Sequence, residues 1–415
     1  MPRASMASVS PPESAPRGLA AWVPAGVAGF VCVLVGMTSS YALVVEAARA
    51  MGLGPAELAT LTSALLFAIG ITCLLPSLLL RIPVVIAWST PGAALLAVSL
   101  KEVPLAEALG AFVVCGLMLA LVGATGWFER QMARIPVALA SALLAGVLLR
   151  FGLEAFSSVQ SAPAVVGSML MVFLFARRWL PRWAVPLTLL AGLMAWPMAE
   201  RSQAVQAFEG LRQGLGQDWP VLAPLAWPIG FSASSVLGVA VPLFIVTMAS
   251  QNLPGAAVLK AHGYTQAPVS ALITLTGVVT ALLAPFGVFA INLAAITAAL
   301  CMSPEIHPDP ARRWTAAAAA GALYLLASVF AAPLSGLFLA MPRELVITIA
   351  GLALLPTIGR GLAGALEQEP VRDAALVTFL VTASGLQLAG VGSAFWAVVA
   401  GLTCYALWSP RGGQT

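Results

Sequence analysis

Between Trp22 and Trp408 the chain passes through one apolar run after another, each long enough to cross a bilayer and nearly free of charge. Lipid offers backbone N–H and C=O groups no partner, so such a chain must close its hydrogen bonds internally, as helices do. The sequence is 60% hydrophobic and 9% charged, with mean hydropathy +0.97. A soluble protein carries roughly a quarter charged residues. The reading is a polytopic, all-α membrane protein. The net charge of +4 marks no nucleic-acid partner, because basic residues in such a chain report topology and no soluble aromatic-basic patch accompanies them. The cysteines, Cys32, Cys73, Cys115, Cys301 and Cys404, sit inside apolar segments without metal or redox spacing, and read as small buried hydrophobes. Residues 1–18, rich in Ser, Pro and Ala, read as a disordered tail without a cleavable signal.

Fourteen spans are expected, near 20–48, 57–80, 84–100, 104–128, 136–156, 162–180 and 182–199, then 228–259, 264–284, 286–302, 311–340, 342–358, 371–389 and 391–409. Residues 201–227 are more polar and read as an interfacial amphipathic linker between the two sets. With the N-terminus inside, fourteen of the twenty basic residues fall on the inner side, Arg81, Arg177, Arg178, Arg312 and Arg313 among them. The positive-inside rule then puts both termini in the cytoplasm.

The two sets resemble each other. Val35-Gly36-Met37-Thr38-Ser39-Ser40-Tyr41 aligns without gaps on Val246-Thr247-Met248-Ala249-Ser250-Gln251-Asn252, and the same offset of 211 pairs Arg49 with Lys260 and Gly52 with Gly263. Pro76 and Pro285, and Pro136 and Pro342, also fall at nearly matching places. Residues 19–200 and 228–409 therefore read as two copies. Seven spans is an odd number, so the second copy is inverted, which is the build of many secondary transporters.

One stretch in each copy resists a plain helix. In Ile86-Ala87-Trp88-Ser89-Thr90-Pro91-Gly92-Ala93-Ala94 the first part is extended by its β-formers, and Thr90 followed by Pro91 reads as a cap and first helical residue. The counterpart is Pro285 to Thr297, where Asn292 is expected to cap a second half-helix. Broken backbone at this depth is tolerated only when packed in protein or lining a wet cavity. Two opposed helix N-termini, each worth about half a positive charge, would form an anion site without lysine or arginine.

Gln251 and Asn252 lie mid-membrane and must be satisfied; both a helix-packing hydrogen bond and a substrate contact fit them. With Ser89, Thr90 and Asn292 they are the candidate polar contacts. Tyr41, Trp88, Phe286 and Phe289 are candidate walls for a flat ring, with core or belt packing as the plainer alternative. Glu46 and Glu154 are the candidate proton carriers, although both lie near the interface. No metal-ligand cluster, nucleophile elbow or phosphate loop is visible, so no cofactor, no metal and no catalytic role are expected.

The stretch from Ile86 to Ala94 and the run Ser250-Gln251-Asn252-Leu253-Pro254-Gly255 resemble the BenE family of bacterial benzoate/proton symporters, over about Trp22 to Trp408. The resemblance implies a fold like the uracil and xanthine permeases, with two inverted sets of seven and segments 3 and 10 broken. It implies a core domain at 19–128 plus 228–340 and a gate domain at 129–227 plus 341–409. It further implies proton-coupled import of benzoate or a close aromatic acid across the bacterial inner membrane, and a homodimer through the gate domains. Nucleobase permeases of that fold carry a glutamate in the eighth span, where this chain has Gln251 and Asn252. Neutral amides suit a carboxylate and remove the obvious proton carrier. A transporter of another anion, such as an aliphatic carboxylate or sulfate, is the alternative of the same fold, and a membrane-embedded enzyme the remote one.

Overall fold

The computed structural model describes residues 23–126, 137–181, 183–205, 209, 226–302, 306–307, 309–388 and 393–408. The expected tail at 1–18, most of the expected linker at 201–227, and Pro136 of the repeat pairing lie outside these residues. The first set of segments is α1 (Val23–Ala50), α2 (Pro55–Leu80), strand β1 (Ile86–Trp88) with α3 (Thr90–Ser99), α4 (Leu105–Ala124), α5 (Val137–Ser157), α6 (Pro163–Trp179) and α7 (Ala184–Ala199). The second is α8 (Ala233–Lys260), α9 (Val269–Leu283), strand β2 (Ile291–Leu293) with α10 (Ile296–Met302), α11 (Trp314–Val329) with α12 (Ala331–Ala340), α13 (Arg343–Leu366), α14 (Arg372–Ala383) and α15 (Ser393–Trp408). Segments 3 and 10 are broken as expected, each a short strand followed by a half-helix.

Local chemistry fixes the ends of these elements. Pro55 opens α2, and Glu57 in its first turn accepts the Gly54 amide at 2.6 Å, where a negative charge also meets the positive end of the helix dipole. The expected continuous span over 311–340 is instead bent by 73° between α11 and α12. Pro333, in the first turn of α12, lacks the amide that would extend α11 through Val329, and in a straight continuation its ring would clash with that carbonyl.

The duplication is visible in backbone detail. After α1, Gly52 (φ 74°) closes a turn in which its amide bonds Arg49 O and the Leu53 amide bonds Ala48 O, both at 3.0 Å. After α8, Gly263 (φ 90°) repeats the turn, its amide on Lys260 O and the Tyr264 amide on Leu259 O, again at 3.0 Å. Every member is shifted by 211, and only glycine adopts that φ without strain.

Two helix crossings tell the same story. A Cβ at Gly70 on α2 would stand 2.8 Å from Leu325 N on α11, and one at Gly321 on α11 would stand 2.6 Å from Leu74 N. A Cβ at Gly116 on α4 would stand 2.6 Å from Ala281 N on α9, and one at Gly277 on α9 would stand 2.3 Å from Ala120 N. Gly70 and Gly277 are 207 residues apart, Gly116 and Gly321 are 205 apart. The α2–α11 and α4–α9 crossings are thus one contact made twice, with small residues letting the backbones close. Elsewhere α1 packs on α3, α10 and α11, α5 packs on α13 and α14, and α6 packs on α7.

Candidate functional site

β1 and β2 form an antiparallel ribbon inside the helices, with Ile86 opposite Leu293, Ala87 opposite Asn292 and Trp88 opposite Ile291. Bonds from Ser89 N to Ala290 O (3.0 Å) and from Ala294 N to Val85 O (2.9 Å) extend the ladder at both ends. A two-stranded ribbon has two open edges, which lipid would not satisfy. Side chains of the flanking helices satisfy them. On the β1 edge, Cys73 Sγ accepts the Ile86 amide at 3.0 Å, and Ser77 Oγ accepts the Val84 amide at 3.2 Å and donates to Val84 O at 3.1 Å. On the β2 edge, Thr280 Oγ1 accepts the Ile291 amide at 3.2 Å and Asn252 Oδ1 accepts the Leu293 amide at 3.0 Å. Cys73 is therefore more than the small buried hydrophobe expected of it. Neither Cys73 nor Thr280 stands out in the sequence, but they lie 207 residues apart, close to the repeat offset, and each precedes a strand.

The two half-helices begin differently from expectation. Ser89, not Thr90, caps α3: its Oγ accepts the Gly92 amide at 3.1 Å and its carbonyl accepts the Ala93 amide at 2.7 Å. Thr90 is already helical, since the ladder bond from Ser89 N to Ala290 O keeps only residues up to Ser89 extended. Asn292 caps nothing. It is held in the centre of β2 by pairing with Ala87, and α10 starts four residues later at Ile296. The residue before that start is Ala295, whose carbonyl accepts the Ala299 amide at 3.1 Å and whose methyl side chain can cap no amide.

The eighth segment wraps the ribbon through a feature absent from the sequence reading. Its turns Val236–Ala240 and Met248–Asn252 are wound as π-helix, with the Val241 amide reaching Val236 O and the Leu253 amide reaching Met248 O. The cause is legible afterwards: Pro242 and Pro254 lack the amides that would have bonded Gly238 O and Ser250 O, one in each widened turn. Thr247 Oγ1 donates to Ser89 Oγ at 3.0 Å, tying this segment to the cap of α3. Asn252 is fully buried on β2, and its Nδ2 lies 3.3 Å from Met248 Sδ. Gln251 is only half-buried, and its side chain has no hydrogen bond to another described residue. Thr90 and Ala87 are also half-buried. Helix α5 packs on both α3 and the Met248–Asn252 turn.

The aromatic candidates separate. Trp88 is buried and its Nε1 donates to Ser40 Oγ at 3.0 Å. Tyr41 stands behind it, its ring 6.2 Å from Trp88 and edge-on to Phe338 at 4.7 Å, its hydroxyl 2.6 Å from Thr62 Oγ1. Phe289 is fully buried 6.0 Å from Phe112 on α4. Phe286 closes the turn Ala284–Phe286 at the end of α9, five residues before β2. Structure thus brings Trp88, Ser89, Asn252 and Asn292 to the ribbon, sets Tyr41, Thr90 and Gln251 around it, and leaves Phe286 and Phe289 in the stretch that leads into β2. Glu46 and Glu154 are engaged elsewhere. Each pairs within its own helix, Glu46 with Arg49 and Glu154 with Arg150, both at 2.7 Å. Glu154 also faces a surface cleft with Ser157, Ser158, Arg343 and Glu344.

Asn292 carries an oddity. Its Nδ2 donates to Ala290 O at 3.1 Å, but its Oδ1 is buried with no partner among the described residues. Among those residues no group of His, Cys, Asp and Glu could hold a metal ion.

Comparison with known proteins agrees with this architecture. Residues 20–407 match the profile of BenE, described as benzoate membrane transport protein. Over 382 residues the chain is 47% identical to the inner membrane protein YdcO of Escherichia coli (strain K12), covering 92% of this chain and 95% of that one. It is 34% identical over 381 residues to the benzoate membrane transport protein of Acinetobacter baylyi, covering 92% and 94%. Among solved structures, the transmembrane domain of the cyanobacterial bicarbonate transporter BicA superposes with TM-score 0.55 at 12% identity, over 94% of this chain and 98% of that one. SLC26A9 superposes with TM-score 0.52 at 13% identity, over 93% and 64%. At such identities the likeness is one of fold, the inverted repeat of seven plus seven segments.

Proposed function

The chain belongs to the BenE benzoate membrane transport family, and on that footing we propose that it imports benzoate or a closely related aromatic carboxylate together with protons. It is a membrane transporter and not an enzyme. The observation that carries the substrate reading is the buried ribbon itself. Two half-helices begin at its opposite ends, and half-buried Thr90 and Gln251 stand beside it. Irregular backbone at this depth belongs where a solute is handled.

The substrate carboxyl group lies between the starts of α3 and α10, contacted by Thr90, Gln251 and Asn292. Ser89 and Asn252 hold the backbone that presents it, and Tyr41 and Trp88 pack behind it. Alternating access moves a core of 19–128 plus 228–340 against a gate of 129–227 plus 341–409, sliding at the contact of α5 with α3 and α8. The protein sits in the inner membrane with both termini cytoplasmic, and the gate offers the homodimer surface. In support, the YdcO relative is named an inner membrane protein, and Arg81, Arg177, Arg178, Arg312 and Arg313 fall on one side of the expected topology.

Uptake of labelled benzoate into proteoliposomes, with and without an inward proton gradient, tests this reading. Gradient-stimulated accumulation is expected. Failure to take up any aromatic acid would remove the substrate, whereas uptake indifferent to the gradient would remove only the symport.

A further inference from the structure

A symporter needs a place for its proton, and the described residues around the ribbon offer none on the protein. Glu46 and Glu154 are neutralised by Arg49 and Arg150, Glu57 is bound to the Gly54 amide, and Glu107 is held by Ser232 and Ser235 at the start of α4. Lys260 lies at the far end of α8, and α3, α9 and α10 carry no acid or base beyond the thiol of Cys301. The titratable groups on or next to the ribbon are the phenol of Tyr41 and the thiol of Cys73, with Cys32, Cys301 and Tyr324 beside Cys73. All are neutral near pH 7 by their ordinary chemistry, and Tyr41 and Cys73 are already hydrogen-bonded, to Thr62 and to Ile86.

The start of α3 is also poorer in donors than a helix start suggests. In the first turn of α3, Pro91 has no amide, Ser89 Oγ occupies that of Gly92 and Ser89 O occupies that of Ala93. Meanwhile the ribbon holds a buried acceptor without a donor, Asn292 Oδ1, on the residue paired with half-buried Ala87. A carboxylate has only acceptors and cannot satisfy that oxygen; a carboxylic acid has one O–H that can.

We infer, resting on the reading of the substrate above, that the proton travels on the substrate's own carboxyl group, with the neutral acid donating its O–H to Asn292 Oδ1. On the outer side the carboxylate takes one proton from solution, and on the inner side the acid returns it. One proton crosses per substrate, no net charge moves, and no side chain changes protonation. The energetics favour this route. Protonating a carboxyl of ordinary pKa near 4.3 at pH 7 is a roughly 500-fold penalty. An uncompensated carboxylate in a low-dielectric interior is penalised far more, which is why such groups neutralise.

The test is competition against labelled benzoate uptake by the full-length protein in proteoliposomes under a fixed inward proton gradient. One competitor is benzamide, an uncharged isostere with one donor group and one acceptor. The others are ring-fluorinated benzoates of falling pKa and nearly unchanged shape. Benzamide should inhibit, and the inhibition constant of the fluorinated acids should rise about tenfold for each unit of pKa lost, in step with the neutral fraction. Asn292→Leu, if it folds, should weaken benzamide at least tenfold. Inert benzamide, or inhibition constants that stay flat or fall with pKa, would overturn the inference while leaving the substrate assignment standing. Absence of benzoate uptake would overturn both.

Discussion

Thr247 Oγ1 donates to Ser89 Oγ across 3.0 Å, so the residue that caps α3 is also the residue that fastens α8 to the ribbon. Ser89→Ala therefore removes a helix cap and orphans a buried hydroxyl together. The cap is worth about 1 kcal/mol and the orphan about 1–3 kcal/mol. Thermal melts in detergent should show Ser89→Ala clearly less stable than Thr247→Val, which orphans nothing comparable. Equal melting temperatures for the two variants would contradict the double role.

Gln251 and Asn252 are neighbours with opposite duties. Asn252→Leu should cost about 1–3 kcal/mol, because the Leu293 amide loses its acceptor inside the membrane. Gln251→Ala should leave the melting temperature within about 2 °C, since a half-buried side chain without a hydrogen-bond partner among the described residues contributes little to stability. Its effect should instead appear as a roughly tenfold weaker apparent affinity for benzoate, about 1.4 kcal/mol. The reverse pattern would move the substrate away from Thr90 and Gln251.

Ser40 and Trp88 join α1 to β1 through one hydrogen bond of 3.0 Å. A double-mutant cycle of Ser40→Ala and Trp88→Phe on unfolding free energy should return a coupling of about 1 kcal/mol. Strict additivity would say that the bond contributes nothing beyond packing.

At the α4–α9 crossing, a Cβ on Gly277 would lie 2.3 Å from the Ala120 amide nitrogen, a backbone atom that cannot swing aside. Gly277→Ala should therefore cost about 1–3 kcal/mol despite its improved helix propensity. Gly359→Ala, where the added carbon meets nothing within 4 Å, should be neutral or slightly stabilising. Similar expression and melting of both variants would mean that the crossing relaxes.

Much of the architecture could be read from one dimension. Apolar runs gave the segments, the offset of 211 between Gly52 and Gly263 exposed the duplication, and β-branched residues before Pro91 marked the break in segment 3. Thr90 lies one residue after the cap of α3, and Asn292 three residues before the cap position of α10. In both cases strand pairing decided how far the extended chain ran, and pairing is a contact between residues about 205 positions apart. The bend at Phe330 was missed because an apolar run carries no sign of direction, although Pro333 was there to be weighed.

Sequence alone determined that this chain lies in lipid, crosses it in two related sets, and breaks its helix twice, because those facts follow from the solvation of apolar runs and from the geometry of β-branched residues and proline. Tertiary structure decided what each polar side chain does. Asn252, Thr280, Cys73 and Ser77 became the edges of a ribbon, Ser89 its junction, and Asn292 Oδ1 its unsatisfied acceptor. A hydrogen-bonding group in a membrane span must find a partner, but only the fold determines which one is within reach.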